Sequence, residues 1–317
     1  MRVFQCPSCG EQVYFENLQC GCGVELGFDA DLGTITRLAR PCAFRDEIVC
    51  NWQASEAGAA CAACATTRTH PDLAVEGNAA LWRRAEAAKR WVFAQLMGLG
   101  WFAADDPGAR PSFDLLSEQT RRGPVQPMMG HLDGHITINV AEADPAEIIA
   151  RREQMDEPYR TMIGHFRHEI AHFLFLRLAE DPGFADQFRG VFGDERTDYG
   201  AALAQYHDAG ADPGWRAAHI TAYASSHPHE DWAETAAHAL HLRDVTESAR
   251  AVGLAPAEVP DDAGEALSAS LELTMALNHV NRAMGLGDLY PFVVTPAVRA
   301  KLRVADALLT EGPAVPG

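Results

Sequence analysis

Basic residues are scarce in this chain of 317 residues. Lys and Arg total 26 against 44 Asp and Glu, a formal charge of −18. That excludes a general nucleic-acid binder, which needs a cationic face for phosphate, while leaving room for a small basic patch. No apolar stretch approaches the length of a membrane span. No apolar run follows Met1 either; Arg2-Val3-Phe4-Gln5-Cys6 comes at once, which predicts no signal peptide and a soluble, cytoplasmic protein. Internal repeats and low-complexity linkers are absent, and so is any cysteine beyond Cys64. What remains is 47% hydrophobic and 22% charged, enough for a sizeable core and long enough for two domains, one large and one small.

The eight cysteines fall in two sets. Cys6-Pro7-Ser8-Cys9 and Cys20-Gly21-Cys22-Gly23 are two thiolate pairs on tight turns, the pattern of a tetrahedral four-cysteine zinc site of the ribbon or rubredoxin type. The second pair is tighter than the usual C-x-x-C. Between them Gln12-Val13-Tyr14-Phe15 reads as a short strand. Cys42, Cys50, Cys61 and Cys64 form a second set, of which only the last two have knuckle spacing. Reduced cytosol disfavours disulfides, so metal ligation is preferred to pairing, with buried free thiols as the plainer reading. Iron suits such sites chemically, and zinc is the default. A region so short and turn-rich buries little apolar surface, so zinc is expected to supply much of its folding energy. Four thiolates leave no open position, which makes the role structural or recruiting.

His168-Glu169-Ile170-Ala171-His172 is an H-E-x-x-H. Residues four apart share a helix face, so both imidazoles can reach one ion with the glutamate beside it. Around it the chain reads as helix from Asn78 to Met97, strand at Phe113–Leu116, strand at Gly134–Val140 and a short helix at Ala146–Gln154. A long helix is expected over Tyr159–Glu180, opened by Glu157-Pro158. Further helices are expected over Asp194–Ala209 (capped by Asp194), His229–Asp244, Gly264–Met284 and Pro296–Leu309, before a disordered tail at 312–317. The predicted layout is a zinc-ribbon domain over 1–70 with two four-cysteine sites and a zinc-hydrolase-like domain over 75–311 that carries the H-E-x-x-H. The predicted fold class is α+β, mostly helical, with a small sheet.

Two histidines need a third protein ligand. Phe175 and Leu178 stand where the extended metzincin pattern requires Gly and His, so that class is rejected. The other common solution is a glutamate on a later helix, and Glu230 and Glu234 lie four apart on one face. Glu230 suits ligation; Glu234 suits acceptance of a ligand histidine's outer N–H.

GHFRHEIAH followed by AYASSHPHEDWAETAAH resembles the family of bacterial zinc-binding metallopeptidases with an N-terminal zinc ribbon. Wider relatives are gluzincins of the anthrax lethal factor and Mlc titration factor A kind. The likeness extends over nearly the whole chain, including RTHPDL at 68–73, GHITIN at 134–139 and YPFV at 290–293. It implies His168, His172 and Glu230 as zinc ligands, Glu169 as general base, and Tyr223, seven positions before Glu230, as the group that stabilises the oxyanion. The second carboxylate of such sites is often Asp, a departure at Glu234. The resemblance also implies an edge role for Ile136–Val140, on which an extended peptide would pair.

Plainer readings accompany several residues. His165 shares the histidine face and reads as a packing or supporting group. His238 and His241 read the same way, Asp231 as a surface carboxylate, Trp232 as a buried anchor, and Tyr223 as packing if not catalytic. His227 and His229 flank Pro228 and can line a cleft. The function expected is zinc-dependent peptide hydrolysis, with one catalytic and two structural zincs and a peptide or protein substrate. The ribbon would select that substrate or bind a protein partner. The alternatives are a ribbon-based binding or regulatory module with a weakly active or inactive peptidase-like domain, and hydrolysis of another bond such as an isopeptide.

Overall fold

The structure, a computed structural model, describes residues 3–155, 160–258, 260 and 262–313. It divides into two compact units, Met1–Phe166 and Arg167–Gly317.

In the first unit, β1 (Phe4–Gln5) pairs antiparallel with β2 (Gln12–Val13), and β3 (Leu26–Asp29) with β4 (Thr34–Arg37). The strand expected over Gln12–Phe15 is thus half as long, because Tyr14 turns back to bond Asn17. Phe4, Phe15 and Trp52 surround Phe28 with ring centroids 5.0–6.2 Å apart, a small aromatic core. A single turn, α1 (Arg45–Ile48), precedes β5 (Thr67–Thr69) and the twenty-residue α2 (Asn78–Met97). The expected bounds of α2 hold to the residue: Gly77, at φ +87°, starts it and Gly98 ends it. Its inner face does more than pack. Trp91 meets Phe15 edge-on at 5.4 Å, and Arg90 donates to Asn51, which donates to the Phe15 carbonyl. The cysteine-rich segment therefore buries its apolar surface against α2, not only within itself.

β6 (Ser112–Leu116), the β7–β8 hairpin (Gln119–Thr120 and Gly123–Pro124), β9 (Gly130–Leu132) and β10 (His135–Asn139) follow. The main sheet has the order β5-β6-β10-β9; β10 runs parallel to β6 and antiparallel to β9. Alternation explains its faces: Phe113, Leu115, Ile136 and Ile138 are fully buried. One expectation fails here. The strand expected to offer an edge over Ile136–Val140 is β10, which is flanked on both sides; β9 is the outer strand. Val140 has already left the sheet for a 3-10 turn.

That turn carries Glu142, 1% exposed, ahead of α3 (Pro145–Met155). Arg160 grips both carboxylate oxygens at 2.7 and 2.8 Å, Arg151 reaches one at 3.0 Å, and His165 the other at 2.7 Å. Burial pushes the carboxyl up, but His165 and Arg160 more than offset it and hold it well below its ordinary 4.5. A depressed folded-state value means stability present above pH 4.5 and lost as the pH falls below it. Glu142→Gln is accordingly expected to cost about 3 kcal/mol at neutral pH, having removed the buried anion that Arg160, Arg151 and His165 share. It should also flatten the acid-side loss, as read from urea unfolding of the two proteins at pH 7 and pH 4.

α4 (Met162–Leu178) crosses the division between the units. The expected opening of this helix at Glu157–Tyr159 lies outside the described residues, as do 314–317 of the tail. In the second unit α5 (Phe184–Phe192), which the sequence pattern did not single out, is amphipathic around Phe184, Phe188 and Phe192. α6 (Tyr199–Ala209) starts later than expected. Asp198, not Asp194, caps it by accepting from the Ala201 N–H, while Asp194 closes a separate turn with Arg196 and Thr197. α7 (Pro228–Ala251) outruns its expected end by about two turns, and α8 (Ala263–Ala283) and α9 (Pro296–Glu311) complete the unit.

Candidate metal centres

α4 delivers His168, Glu169 and His172. α7 delivers Glu230 from its first turn, set by Pro228 at the helix start and by His227, whose Nδ1 accepts from the His229 N–H. Trp232, fully buried, donates from Nε1 to the Ala171 carbonyl at 2.8 Å and so ties α7 to the H-E-x-x-H turn. Phe175, at the position metzincins give to Gly, is instead packed edge-on against Phe184, Phe188 and His229.

Three atoms converge. His168 Nε2 lies 3.2 Å from His172 Nε2 and 3.1 Å from Glu230 Oε2, and His172 Nε2 lies 3.4 Å from the same oxygen. Ligands about 2.0–2.1 Å from a tetrahedral zinc stand roughly 3.3–3.4 Å from one another, so the triangle has the size such an ion needs. Glu230 Oε2 is buried and, among the described residues, has no aligned hydrogen-bond partner, a cost that a cation removes. The same holds for Glu169 Oε2, next to the triangle in sequence but outside it. Burial pushes the Glu230 carboxyl up, yet the two histidines hold it far below the usual range; burial pushes His168 down, yet Glu230 and Glu234 hold it well above. Such mutual need among buried groups is what one positive charge would satisfy.

Supporting groups surround the triangle. Glu234 Oε1 meets His168 Nδ1 at 2.7 Å, which turns the opposite ring nitrogen towards His172 and Glu230. Tyr223 stacks obliquely near His168, centroids 6.1 Å apart, and burial followed by Glu230 pushes its hydroxyl up, so it remains a donor at neutral pH. Tyr199 donates to Glu230 Oε1 at 2.6 Å. Nothing in the sequence singled out Tyr199; its one trace is the seven-residue spacing to Tyr206, two turns along α6.

Other histidines fall away from the triangle. His165 engages Glu142. His238 bonds Tyr290 Oη at 3.0 Å and is held by burial at about 4, hence neutral. His241 Nδ1 contacts Arg167, which also donates to Asp244. His229 stacks on His227 with ring centroids 5.2 Å apart. Asp231 is not a surface carboxylate: it is 1% exposed and accepts from Lys301 of α9.

Both cysteine sets assemble as groups, and all eight cysteines are free. In the first, Sγ atoms lie 3.8 Å apart for Cys6 and Cys22 and 3.6 Å for Cys9 and Cys20. In the second, Cys50 lies 3.7 Å from Cys61 and 3.8 Å from Cys64, while Cys42 Sγ accepts from the Cys61 N–H. A tetrahedron of sulfurs about 2.3 Å from zinc has edges of roughly 3.8 Å, far beyond a disulfide bond near 2.05 Å. The sets differ in access. Cys9 and Cys22 are exposed, whereas every member of the second set is buried, with Cys64 Sγ 4.0 Å from Glu86 of α2.

No described helix is long and apolar enough to cross a membrane. A zinc-ribbon family model matches residues 3–41. Three uncharacterized proteins, one from Mycobacterium bovis and two from strains of Mycobacterium tuberculosis, are each 38% identical over 331 residues, covering 98% of this chain and 96% of each relative. No solved structure matches the chain. Residues 78–308, which contain all the groups of the His/Glu site, match the model of the family described as "Putative zinc-binding metallo-peptidase", and the chain belongs to that zinc-binding family.

Proposed function

We propose that this chain is a zinc-dependent peptidase of the gluzincin type, in which His168, His172 and Glu230 hold the metal. The observation that carries the reading is the 3.1–3.4 Å triangle of Nε2, Nε2 and Oε2 atoms, whose Glu230 Oε2 is buried with no aligned hydrogen-bond partner among the described residues. Zinc, when bound, supplies a Lewis acid that polarises a carbonyl and acidifies water. The remaining work falls to side chains. Glu169 takes a proton from the attacking water and passes it to the departing amine. Tyr223 donates a hydrogen bond to the carbonyl oxygen as it gains charge, a contribution of about 3 kcal/mol in comparable sites. Glu234 holds His168 in the tautomer that leaves Nε2 free to bind.

In this reading residues 75–311 form the peptidase domain and 1–70 the ribbon, which positions a peptide or protein substrate. The setting is cytoplasmic. Metal analysis of the intact protein is expected to give about three zinc ions per chain, one for each group of converging ligands. His168→Ala should leave about two and abolish cleavage of a peptide library. Equal zinc content in the two proteins, or cleavage that survives the substitution, would remove the site from this role.

A further inference from the structure

The third ligand of the proposed zinc site is itself held, and the residue that holds it lies on an element with no other evident purpose. Glu230 has two oxygens with different surroundings. Oε2 faces the two histidine nitrogens; Oε1 accepts from the Tyr199 hydroxyl at 2.6 Å. A carboxylate with one oxygen so occupied resists swinging to offer both, because the swing would break a strong, charge-assisted bond to a buried glutamate, although Tyr199 itself is exposed on its outer side.

Tyr199 is the first residue of α6, and α6 has no buried residue at all. An eleven-residue helix that contributes nothing to the core normally has only weak reasons to be ordered. This one turns a face to the site. Tyr199 reaches Glu230 and packs edge-on against His227, with centroids 5.1 Å apart, and Tyr206, seven residues on and so on the same face, meets Tyr223 edge-on at 5.7 Å. Glycines in the left-handed region bound the segment at Gly193 (φ +100°) and Gly210 (φ +76°). Asp198 caps its start.

We infer that Tyr199 is a positioning residue for the metal centre: its hydroxyl fixes Glu230 so that Oε2 alone is presented to the histidines, and α6 exists to place it. This rests on the zinc-peptidase reading above. Supporting bonds of this kind are worth about 10–100-fold in metal affinity elsewhere.

The test compares the intact protein with Tyr199→Phe, using Glu234→Gln as a second supporting-group variant and His168→Ala as the blank. Zinc retention is read by competition with a chromogenic chelator. Protein reloaded with cobalt(II) is read by its visible absorption, whose intensity falls as more ligand atoms crowd the ion. The Phe variant keeps the ring and its packing on His227, so, with the cysteine-bound zinc in place, thermal unfolding of Tyr199→Phe in the His168→Ala background should coincide with that of His168→Ala alone. Expected are a roughly tenfold or greater loss of affinity at the site lost in His168→Ala, unchanged cysteine-bound zinc, and a weakened cobalt spectrum. Affinity within twofold of the parent, with an unchanged cobalt spectrum, overturns the role of Tyr199 while leaving the site standing. If the parent holds no metal that His168→Ala loses, the site fails and the role of Tyr199 with it. Should the Phe variant unfold early, the cobalt spectrum of its folded fraction decides alone.

Discussion

Glu169→Gln is expected to lower peptide cleavage by about 10²–10⁴-fold while zinc content stays that of the parent. The amide has the shape of the carboxylate but cannot accept the water proton, so the loss should fall on kcat. Zinc should stay because Glu169 is not among the three converging groups, and its Oε2 has no hydrogen-bond partner among the described residues. Initial rates on a fluorogenic peptide library, with zinc measured on the same samples, check both halves. Unchanged rates would take the base role from Glu169; lost zinc would make it a structural member of the site.

A second large effect is expected at the buried thiolates. Structural zinc contributes about 10–16 kcal/mol in small zinc-binding peptides, comparable with the whole stability of a typical domain at about 5–15 kcal/mol. Cys50 Sγ stands within 3.8 Å of both Cys61 and Cys64, and all four members of its set are buried. Cys50→Ser should therefore release one zinc and unfold the segment around it. The damage should extend to the contacts that α2 makes with that segment, Arg90 to Asn51 and Trp91 to Phe15. Limited proteolysis should cut between residues 40 and 66 in the variant and not in the parent. A variant with full zinc and the parent's digestion pattern would show that the cluster needs no metal.

Much of this was legible in the sequence, and the reasons are physical. Helices announced by periodicity and punctuated by Gly or Pro, such as α2 and α9, match within about two residues. The atoms that converge belong to residue types with few other reasons to recur at four-residue spacing. The failures have a common cause, since each depended on what a segment meets in space. The edge role implied by the resemblance fails because β10 lies between β6 and β9, and strand composition carries no sign of such flanking partners. Asp231 sits in a run of charged residues, and only the approach of Lys301, seventy positions on, makes it a buried ion pair. Asp194 and Asp198 are equally good caps by type; a turn closed by Arg196 consumes the first. Tyr199 is invisible for the same reason, its partner lying 31 residues away.

The positions of the three ligand groups along the chain also bear on when each can capture metal. The first four thiolates are contributed within residues 6–22 and the next four within 42–64, whereas the His/Glu site needs a chain from 168 to 230 to have closed. Closure over a longer span is slower and entropically dearer, and synthesis delivers the amino-terminal end first. A nascent chain would therefore assemble both sulfur clusters before His168 and His172 have left the ribosome, and the His/Glu group would close only once α7, tied to the H-E-x-x-H turn through Trp232 and Ala171, has been made.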